Sequence, residues 1–155
     1  MIVSNWNSCV KSSDTVYHLG DFSLGSNGPA YYLKQLNGHI NLVFGNHDDP
    51  RIIRKCGFVL AEKTRLLRFR FPDQENRQYV WLSHFAHRVW DRSHYGSWHL
   101  YGHSHGKLPP MGLSMDVGID ARLSWNLPGE SNRSSMRPWS LDEIRTIMEG
   151  RAQHG

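Results

Sequence analysis

Apolar residues near the start of the chain recur first at helical spacing and then in short continuous runs. Ile2, Val3, Trp6 and Val10 share one helical face, so their spacing predicts a short amphipathic helix. The segment 39–44 (HINLVF) is almost continuously apolar, which is typical of a strand covered on both faces. Helix and strand candidates therefore alternate in the first third of the sequence. The predicted order is helix 2–10, strand 15–19, helix 28–37, strand 39–44 and helix 50–56.

The rest of the chain is dominated by strand patterns. The segment 122–138, rich in Ser, Asn, Gly and Pro, predicts a long surface loop, and the SLDE box at Ser140 predicts a final helix over 141–149. No internal repeat or linker divides the sequence, so we expect a single domain over 1–155, with an α/β fold built on a mixed sheet or on two packed sheets. The predicted strands are 58–61, 65–71, 78–83, 98–101 and 115–119, with a hairpin turn over 72–76.

Composition places the chain among ordinary globular proteins. Its 155 residues are 39% hydrophobic and 21% charged, enough for one domain with a real core. Cys9 and Cys56 are too few and too isolated to predict a disulfide scaffold or a zinc ribbon. No apolar run approaches the roughly 20 residues of a membrane span, and no signal-peptide pattern opens the sequence. We therefore expect no membrane partner and a cytoplasmic location.

Charge adds less information than the histidine content. The net charge of +4 and the isoelectric point of about 9.3 are compatible with an anionic substrate. The arginines form no dense block, so a solvated basic face is favoured over nucleic-acid binding, which has only weak support. Ten histidines in a chain of this length are the more informative excess.

Two of these histidines lie in the segment 102–106 (GHSHG), directly after a strand candidate. If the chain is still extended there, His103 and His105 face the same side and both imidazoles point at one spot. Such a pair indicates a metal ion, because imidazole is the commonest metal ligand. A polar turn whose histidines face water is the alternative that this segment alone leaves open.

Polar residues at four strand ends favour the metal. Each of these four strand candidates ends in glycine or serine next to a residue of metal-ligand type, and strand ends in open α/β sheets converge on ligands. A turn, a helix N-cap or a buried structural histidine explains each case separately, but not all of them together. A set of carboxylate, amide and imidazole ligands suits manganese, iron, zinc or nickel rather than calcium. The segments are Gly20-Asp21, Gly45-Asn46-His47-Asp48, Ser83-His84 and Gly102-His103-Ser104-His105.

This ordered set of motifs resembles the calcineurin-like metallophosphoesterase superfamily. The strings DTVYHLGDF, LNGHINLVFGNHD and GSWHLYGHSHG are similar to those of its small single-domain bacterial and phage phosphoesterases. The resemblance extends over almost the whole chain. It implies a four-layer α-β-β-α sandwich of two mixed sheets flanked by helices, with two metal ions at the strand ends.

The resemblance also implies a reaction and a role for each site residue. The reaction is hydrolysis of a phosphate mono- or diester in a phosphorylated small molecule or nucleotide, by attack of a metal-bound hydroxide between ions about 4 Å apart. His47 protonates the leaving group or stabilises its charge, and Asp48 orients His47. Asp21 bridges the ions, of which manganese is the first expectation. The implied metal ligands are Asp21, Asn46, His84 and His103 for the second ion, and Asp21 and His105 for the first.

The sequence departs from the family pattern at its start. Members of the superfamily open with a strand that ends in Asp-x-His and supplies two further ligands to the first metal, and nothing like it precedes Asp21. We therefore expect an N-terminally shortened form, with an uncovered sheet edge, that holds one metal firmly and is weak or inactive as a two-metal hydrolase. A second copy could cover that edge as a homodimer, and His18 or His87 could replace a ligand. The alternative function is a non-catalytic metal-binding relative or interaction module of the same fold.

The loop 86–96 carries further candidates of lower rank. Arg88, Trp90 and Arg92 could bind a phosphate and a planar group. His87, His94 and His99 are better interpreted as exposed or structural histidines. Asp116 and Asp120 are also predicted to be structural.

Overall fold

A computed structural model describes residues 1–24, 27–125 and 135–152. Within them, strands and helices follow the order that the sequence predicts. None of the helices in this part of the chain is long and apolar enough to cross a membrane. The elements are α1 (Ile2–Cys9), β1 (Thr15–His18), α2 (Pro29–Leu33), β2 (His39–Val43), α3 (Pro50–Ile53), β3 (Leu60–Glu62), β4 (Thr64–Phe69), β5 (Gln78–Ser83), β6 (Trp98–Tyr101), β7 (Ser114–Asp116) and α4 (Leu141–Ala152), with 3-10 helices at Ser93–Tyr95 and Ala121–Trp125.

The strands form two sheets, which confirms an α/β architecture with two sheets and helices. In the first sheet, β1, β2 and β3 are neighbours in that order, and both pairings are parallel. The prediction that both sheets are mixed is wrong for the strands described. A helix lies in each connection, α2 before β2 and α3 before β3, and a crossover of this kind brings the next strand back in the same direction.

The second sheet is mixed, as predicted. Its order is β4-β5-β6-β7, with β4 and β5 antiparallel and the two pairings beyond them parallel. The predicted hairpin turn over 72–76 lies between β4 and β5. Parallel pairing makes β5, β6 and β7 end at the same edge of the sheet, which is where the candidate ligands follow them.

The main core joins the strands of the second sheet to α4 and to residues beside the first sheet. Met115 and Met148 are fully buried, and Val80 and Leu82 are 1% and 2% exposed. Burying such side chains contributes about 25 cal/mol for each Å² removed from water. A smaller cluster of Trp6, Val10 and Ile40 packs α1 against the first sheet. The main cluster comprises Leu19, Val43, Leu67, Phe71, Val80, Leu82, Trp98, Leu100, Met115, Ile144 and Met148.

Two helices end earlier than their sequence patterns predict. The helix predicted over 28–37 stops at Leu33. Asn37 bonds instead to α1 and the residue after it: its side-chain N–H donates to the Val10 carbonyl, and its own carbonyl accepts the Trp6 indole N–H. The helix predicted over 50–56 is regular only to Ile53, and its N-cap is Asp49 rather than a residue of the segment 46–48. Tertiary contacts therefore override local propensity at both ends.

The final helix starts as predicted. Ser140 and Glu143 exchange hydrogen bonds in a capping box. Glu143 also pairs with the fully buried Arg122 and with Arg137, which fastens the 3-10 helix Ala121–Trp125 to α4. Burial alone would raise the pKa of Glu143, but hydrogen bonds from the two arginines hold it at about 2. The predicted loop over 122–138 therefore begins in this 3-10 helix, and its part 126–134 lies outside the described residues.

Candidate metal centre

Four of the predicted ligands meet where strands of the two sheets end. Asp21 follows β1, Asn46 follows β2, His84 follows β5 and His103 follows β6. One ligand atom from each of Asp21, His84 and His103 lies within 4.8 Å of the others, so these residues form a group that could hold a metal ion. The Asn46 amide oxygen joins them, 3.0 Å from Nε2 of His84. The convergence predicted from strand-end positions is present for these residues.

Glycines before the ligands make this approach sterically possible. A Cβ atom on Gly20 would lie 2.4 Å from Nδ1 of His84, and Gly20 has a φ of +98°. A Cβ atom on Gly45 would lie 2.2 Å from the Asp21 carboxylate. Real Cβ contacts are not this short, so the ends of β1, β2 and β5 can pack together only because these positions carry no side chain.

His84 is the buried floor of the group and presents one defined nitrogen to it. Its side chain is 3% exposed, and its Nδ1–H donates to the Leu19 carbonyl at 2.6 Å, because a carbonyl can only accept. In the neutral ring Nε2 therefore carries a lone pair. This nitrogen lies 3.3 Å from an Asp21 carboxylate oxygen and 3.2 Å from Nδ1 of His103.

Nε2 of His84 thus faces two oxygens that only accept, from Asp21 and Asn46, and Nδ1 of His103, whose role depends on its tautomer. Carboxylate oxygen, amide oxygen and imidazole lone pairs repel unless a proton or a cation lies among them. The hydrogen bond from Nδ1 of His84 to the Leu19 carbonyl is of the type that fixes the orientation of a metal-binding imidazole. The group of Asp21, His84 and His103, with the Asn46 oxygen beside it, could therefore hold a metal ion.

Asp48 bonds to the main chain around the site. Its carboxylate accepts the backbone N–H groups of Asp21, Phe22 and Gly45 at 2.8, 3.0 and 2.8 Å. The sequence-based role for Asp48 was to orient His47, and these contacts give it another: it joins the chain after β1 to the chain after β2. The partly buried backbone N–H groups of both segments thereby have a hydrogen-bond partner.

His47 lies at the exposed rim of the group. Its backbone N–H donates to one oxygen of Asp21 at 2.9 Å, while the other Asp21 oxygen faces His84. Asn46 and His103 are exposed as well, whereas Asp21 is half-buried. The group therefore opens to solvent on the side of Asn46, His47 and His103.

The two histidines of GHSH diverge. His103 and His105 both have left-handed backbone conformations, with φ of 61° and 51°, so the chain is not extended there and the condition under which both imidazoles would face one side is not met. His103 joins the metal group, whereas His105 is exposed and hydrogen-bonds to Asp120. The structure therefore does not bring His105 together with Asp21, His84 and His103.

Asp116, which sequence analysis treated as structural, stabilises the turn after GHSH. Its oxygens accept the backbone N–H groups of Gly106 and Gly118 at 2.9 and 2.8 Å. Burial raises the pKa of Asp116. Asp120 has a second bond, from the Ala121 N–H, beside its contact with His105.

Most of the lower-ranked candidates are engaged in structural contacts. His99 is fully buried between Ser83 and Ser114, with hydrogen bonds of 2.8 and 2.9 Å, and burial lowers its pKa to about 4. Trp90 stacks on His99 and donates its indole N–H to Ser97. Arg92 lies over the ring of Tyr79, 4.3 Å from its centroid.

Two further residues neighbour the site: His18, which the sequence suggested as a replacement ligand, and Phe85, which sequence reasoning missed. Nδ1 of His18 is buried without a hydrogen-bond partner, and burial lowers the pKa of His18 to about 4. Phe85 contacts the rings of His84 and His103. The signal for Phe85 was its position directly after the candidate ligand His84, but an apolar residue next to a strand end has no distinctive pattern.

The chain matches no protein-family model. It is 31% identical to the Gene 66 protein of Mycobacterium phage L5, over 75% of this chain and 70% of that protein. The chain belongs to the family of the Gene 66 protein. The chain is also 30% identical to an uncharacterized protein of Methanocaldococcus jannaschii, over 96% of this chain and 73% of that protein.

The fold has a relative among solved structures. A protein of unknown function from Aquifex aeolicus superposes with a TM-score of 0.60, and the match covers 94% of this chain and 82% of that one. At 22% identity this similarity shows a shared fold. The fold of this member of the Gene 66 family is therefore also found in a bacterial protein.

Proposed function

We propose that the protein is a metal-dependent phosphoesterase whose metal ion is held by Asp21, Asn46, His84 and His103. The observation that carries the proposal is the convergence of an Asp21 oxygen, the Asn46 amide oxygen and Nδ1 of His103 around Nε2 of the buried His84. The order of the motifs along the chain, which resembles that of metallophosphoesterases, supports phosphate chemistry. The two sheets and their helices are compatible with the four-layer sandwich that we propose for the fold.

Each residue has a definite task in this proposal. A bound divalent ion would polarise the phosphate ester and make a coordinated water acidic near neutral pH. Asp21 and Asn46 supply oxygen ligands from the first sheet, and His84 and His103 supply nitrogen ligands from the second. The mixed set favours Mn²⁺, with iron, zinc and nickel as alternatives. His47, exposed beside Asp21, is placed to donate a proton to the leaving oxygen.

A second candidate function is supported by the position of His105. Its contact with Asp120 leaves it outside the group of Asp21, His84 and His103. Hydrolases with a two-metal site use both ions to stabilise the attacking and leaving oxygens. A chain that holds a single ion could bind metal and phosphate without turnover, as a non-catalytic metal-binding relative.

Manganese-dependent hydrolysis of bis(p-nitrophenyl) phosphate tests both candidates. We expect the unmodified protein to turn over this diester and to bind Mn²⁺, and Asp21→Asn and His84→Ala to lose both. His94→Ala is the matched control, because His94 lies on the exposed 3-10 helix Ser93–Tyr95. Activity that survives Asp21→Asn and His84→Ala would overturn the proposal. Manganese binding without hydrolysis would favour the second candidate.

A further inference from the structure

Phe85 is a half-exposed aromatic residue in direct contact with the metal group. Its ring centroid lies 4.9 Å from that of His84 and 4.6 Å from that of His103, in edge-to-face geometry with both. Nevertheless the residue is 48% exposed. Leaving this much of a large apolar side chain in water forgoes the free energy that burial would provide.

The position of Phe85 coincides with the open side of the site. His84 forms the buried floor, whereas Asn46, His47, His103 and Phe85 are all exposed. A phosphate bound at the metal group must carry its organic substituent out past these residues. Phe85 is the apolar member of this set, so it offers the substituent a hydrophobic contact.

Phe85 has contacts through both its backbone and its ring. The Phe85 carbonyl accepts the hydroxyl of Ser83 at 2.7 Å, and Ser83 in turn bonds to the buried His99. The two imidazoles fix the ring itself. A surface that is ordered before binding loses little conformational entropy when a ligand covers it.

We propose that Phe85 is the platform on which a planar ring of the substrate packs, so that the site prefers phosphate esters with an aryl or other neutral ring substituent. This inference rests on the proposed phosphoesterase function. An aromatic face also attracts cations, but a metal ion beside it repels a cationic substituent. A neutral planar ring gains both apolar burial and aromatic pairing.

Two phosphonates that differ only in the substituent test the inference without turnover. Phenylphosphonate and methylphosphonate carry the same anionic head group, and their affinities for the manganese-loaded protein can be measured by isothermal titration calorimetry. We expect phenylphosphonate to bind about tenfold more tightly. In Phe85→Leu the preference should fall to about twofold, with Mn²⁺ affinity unchanged, and in Phe85→Trp it should persist.

Tyr95→Leu is the matched control, because Tyr95 is an aromatic residue of the same loop that is 85% exposed. It should retain the full preference. Equal affinities for the two phosphonates, no binding of either, or an unaltered preference in Phe85→Leu would each overturn the inference. So would loss of Mn²⁺ by Phe85→Leu, which would make Phe85 a support of the ligands. Failure of bis(p-nitrophenyl) phosphate hydrolysis with the preference intact would instead count against the proposed function alone.

Discussion

Asp48 shows how one side chain can position a site without facing its ligand. The three backbone N–H groups that it binds belong to the segments that follow β1 and β2, at Asp21 and Phe22 and at Gly45, the residue before Asn46. A carboxylate is suited to this place because both oxygens accept. A side-chain donor at position 48 would point its own hydrogen at a backbone N–H group.

Asp48→Asn should therefore weaken both the fold and the metal site. The amide nitrogen cannot accept, so at least one N–H loses its partner, at a cost of about 2 kcal/mol in the free energy of unfolding. We expect Mn²⁺ affinity to fall by about tenfold or more, since Asp21 and Asn46 lose their support. Urea unfolding and calorimetric titration measure the two effects. Asp49→Asn is the control, because asparagine caps a helix as well as aspartate does; equal losses in both variants would contradict this role of Asp48.

His99 makes stability depend on pH. Burial lowers its folded-state pKa to about 4, below the unfolded value of 6.5, so the unfolded chain takes up a proton first as the pH falls. The contribution of His99 is thus fully present above the unfolded pKa and decreases down to the folded pKa. Between about pH 7 and pH 5 we expect the metal-free protein to lose about 2 kcal/mol through this residue. The depressed pKa of His18 acts in the same direction.

Urea unfolding at several pH values checks this effect. His99→Gln offers Ser83 and Ser114 a donor and an acceptor without a titrating proton, so its stability should vary less with pH than that of the unmodified protein. His94→Gln, at an exposed position, should keep the original slope. A slope unaffected by His99→Gln would assign the pH dependence to other groups.

At the scale of elements, the site depends on how closely the strand ends approach. Gly45→Ala would place a Cβ atom 2.4 Å from the Asp21 backbone nitrogen as well as against its carboxylate. Backbone atoms cannot rotate out of the way, so β1 and β2 must separate. We expect a loss of about 3 kcal/mol in unfolding free energy and of Mn²⁺ binding, measured by urea unfolding and calorimetry.

A glycine-to-alanine change in a helix is the control for Gly45→Ala, because it should change the free energy of unfolding in the opposite direction. Nothing lies within 4 Å of the place where a Cβ atom would stand on Gly150 of α4. Gly150→Ala should therefore raise stability, by about 0.5 kcal/mol, and leave metal binding unchanged. If Gly45→Ala were tolerated equally well, the strand ends would have more room than these distances indicate.

Elements with strong internal patterns could be predicted from the sequence, and those shaped by tertiary contacts could not. The continuous apolar run of β2 and the capping box of α4 specify their structures locally. In contrast, α2 ends at Leu33, and Asn37, which the sequence placed in the same helix, bonds to α1 and the residue after it, contacts that no local pattern shows.

The same difference applies to the site. The convergence of Asp21, Asn46, His84 and His103 follows from parallel strands that end at one edge. His103 and His105 diverge because both adopt a positive φ, which is uncommon for residues other than glycine. The sequence does not predict this conformation. The partners of Asp48 and the place of Phe85 likewise depend on the loops after β2 and β5, whose conformations no local pattern specifies.

At the scale of the whole molecule, the candidate metal centre links the two sheets. Asp21 and Asn46 extend from the first sheet, and His84 and His103 from the second. Nε2 of His84 approaches ligands from both. An ion that binds the folded chain and not the unfolded one adds its binding free energy to the free energy of unfolding. Because its ligands come from both sheets, we expect this ion to stabilise both of them.

Mn²⁺ should therefore stabilise the entire molecule rather than one loop. At a free concentration about 100 times its dissociation constant, we expect it to raise the unfolding free energy by about 2.7 kcal/mol, and EDTA to reverse the gain. Amide hydrogen exchange should slow at the carboxyl ends of both β1 and β6. His84→Ala should lose this response and His94→Ala should keep it. An equal gain in His84→Ala would mean that the ion binds elsewhere, and protection confined to one sheet would mean that its ligands do not come from both sheets.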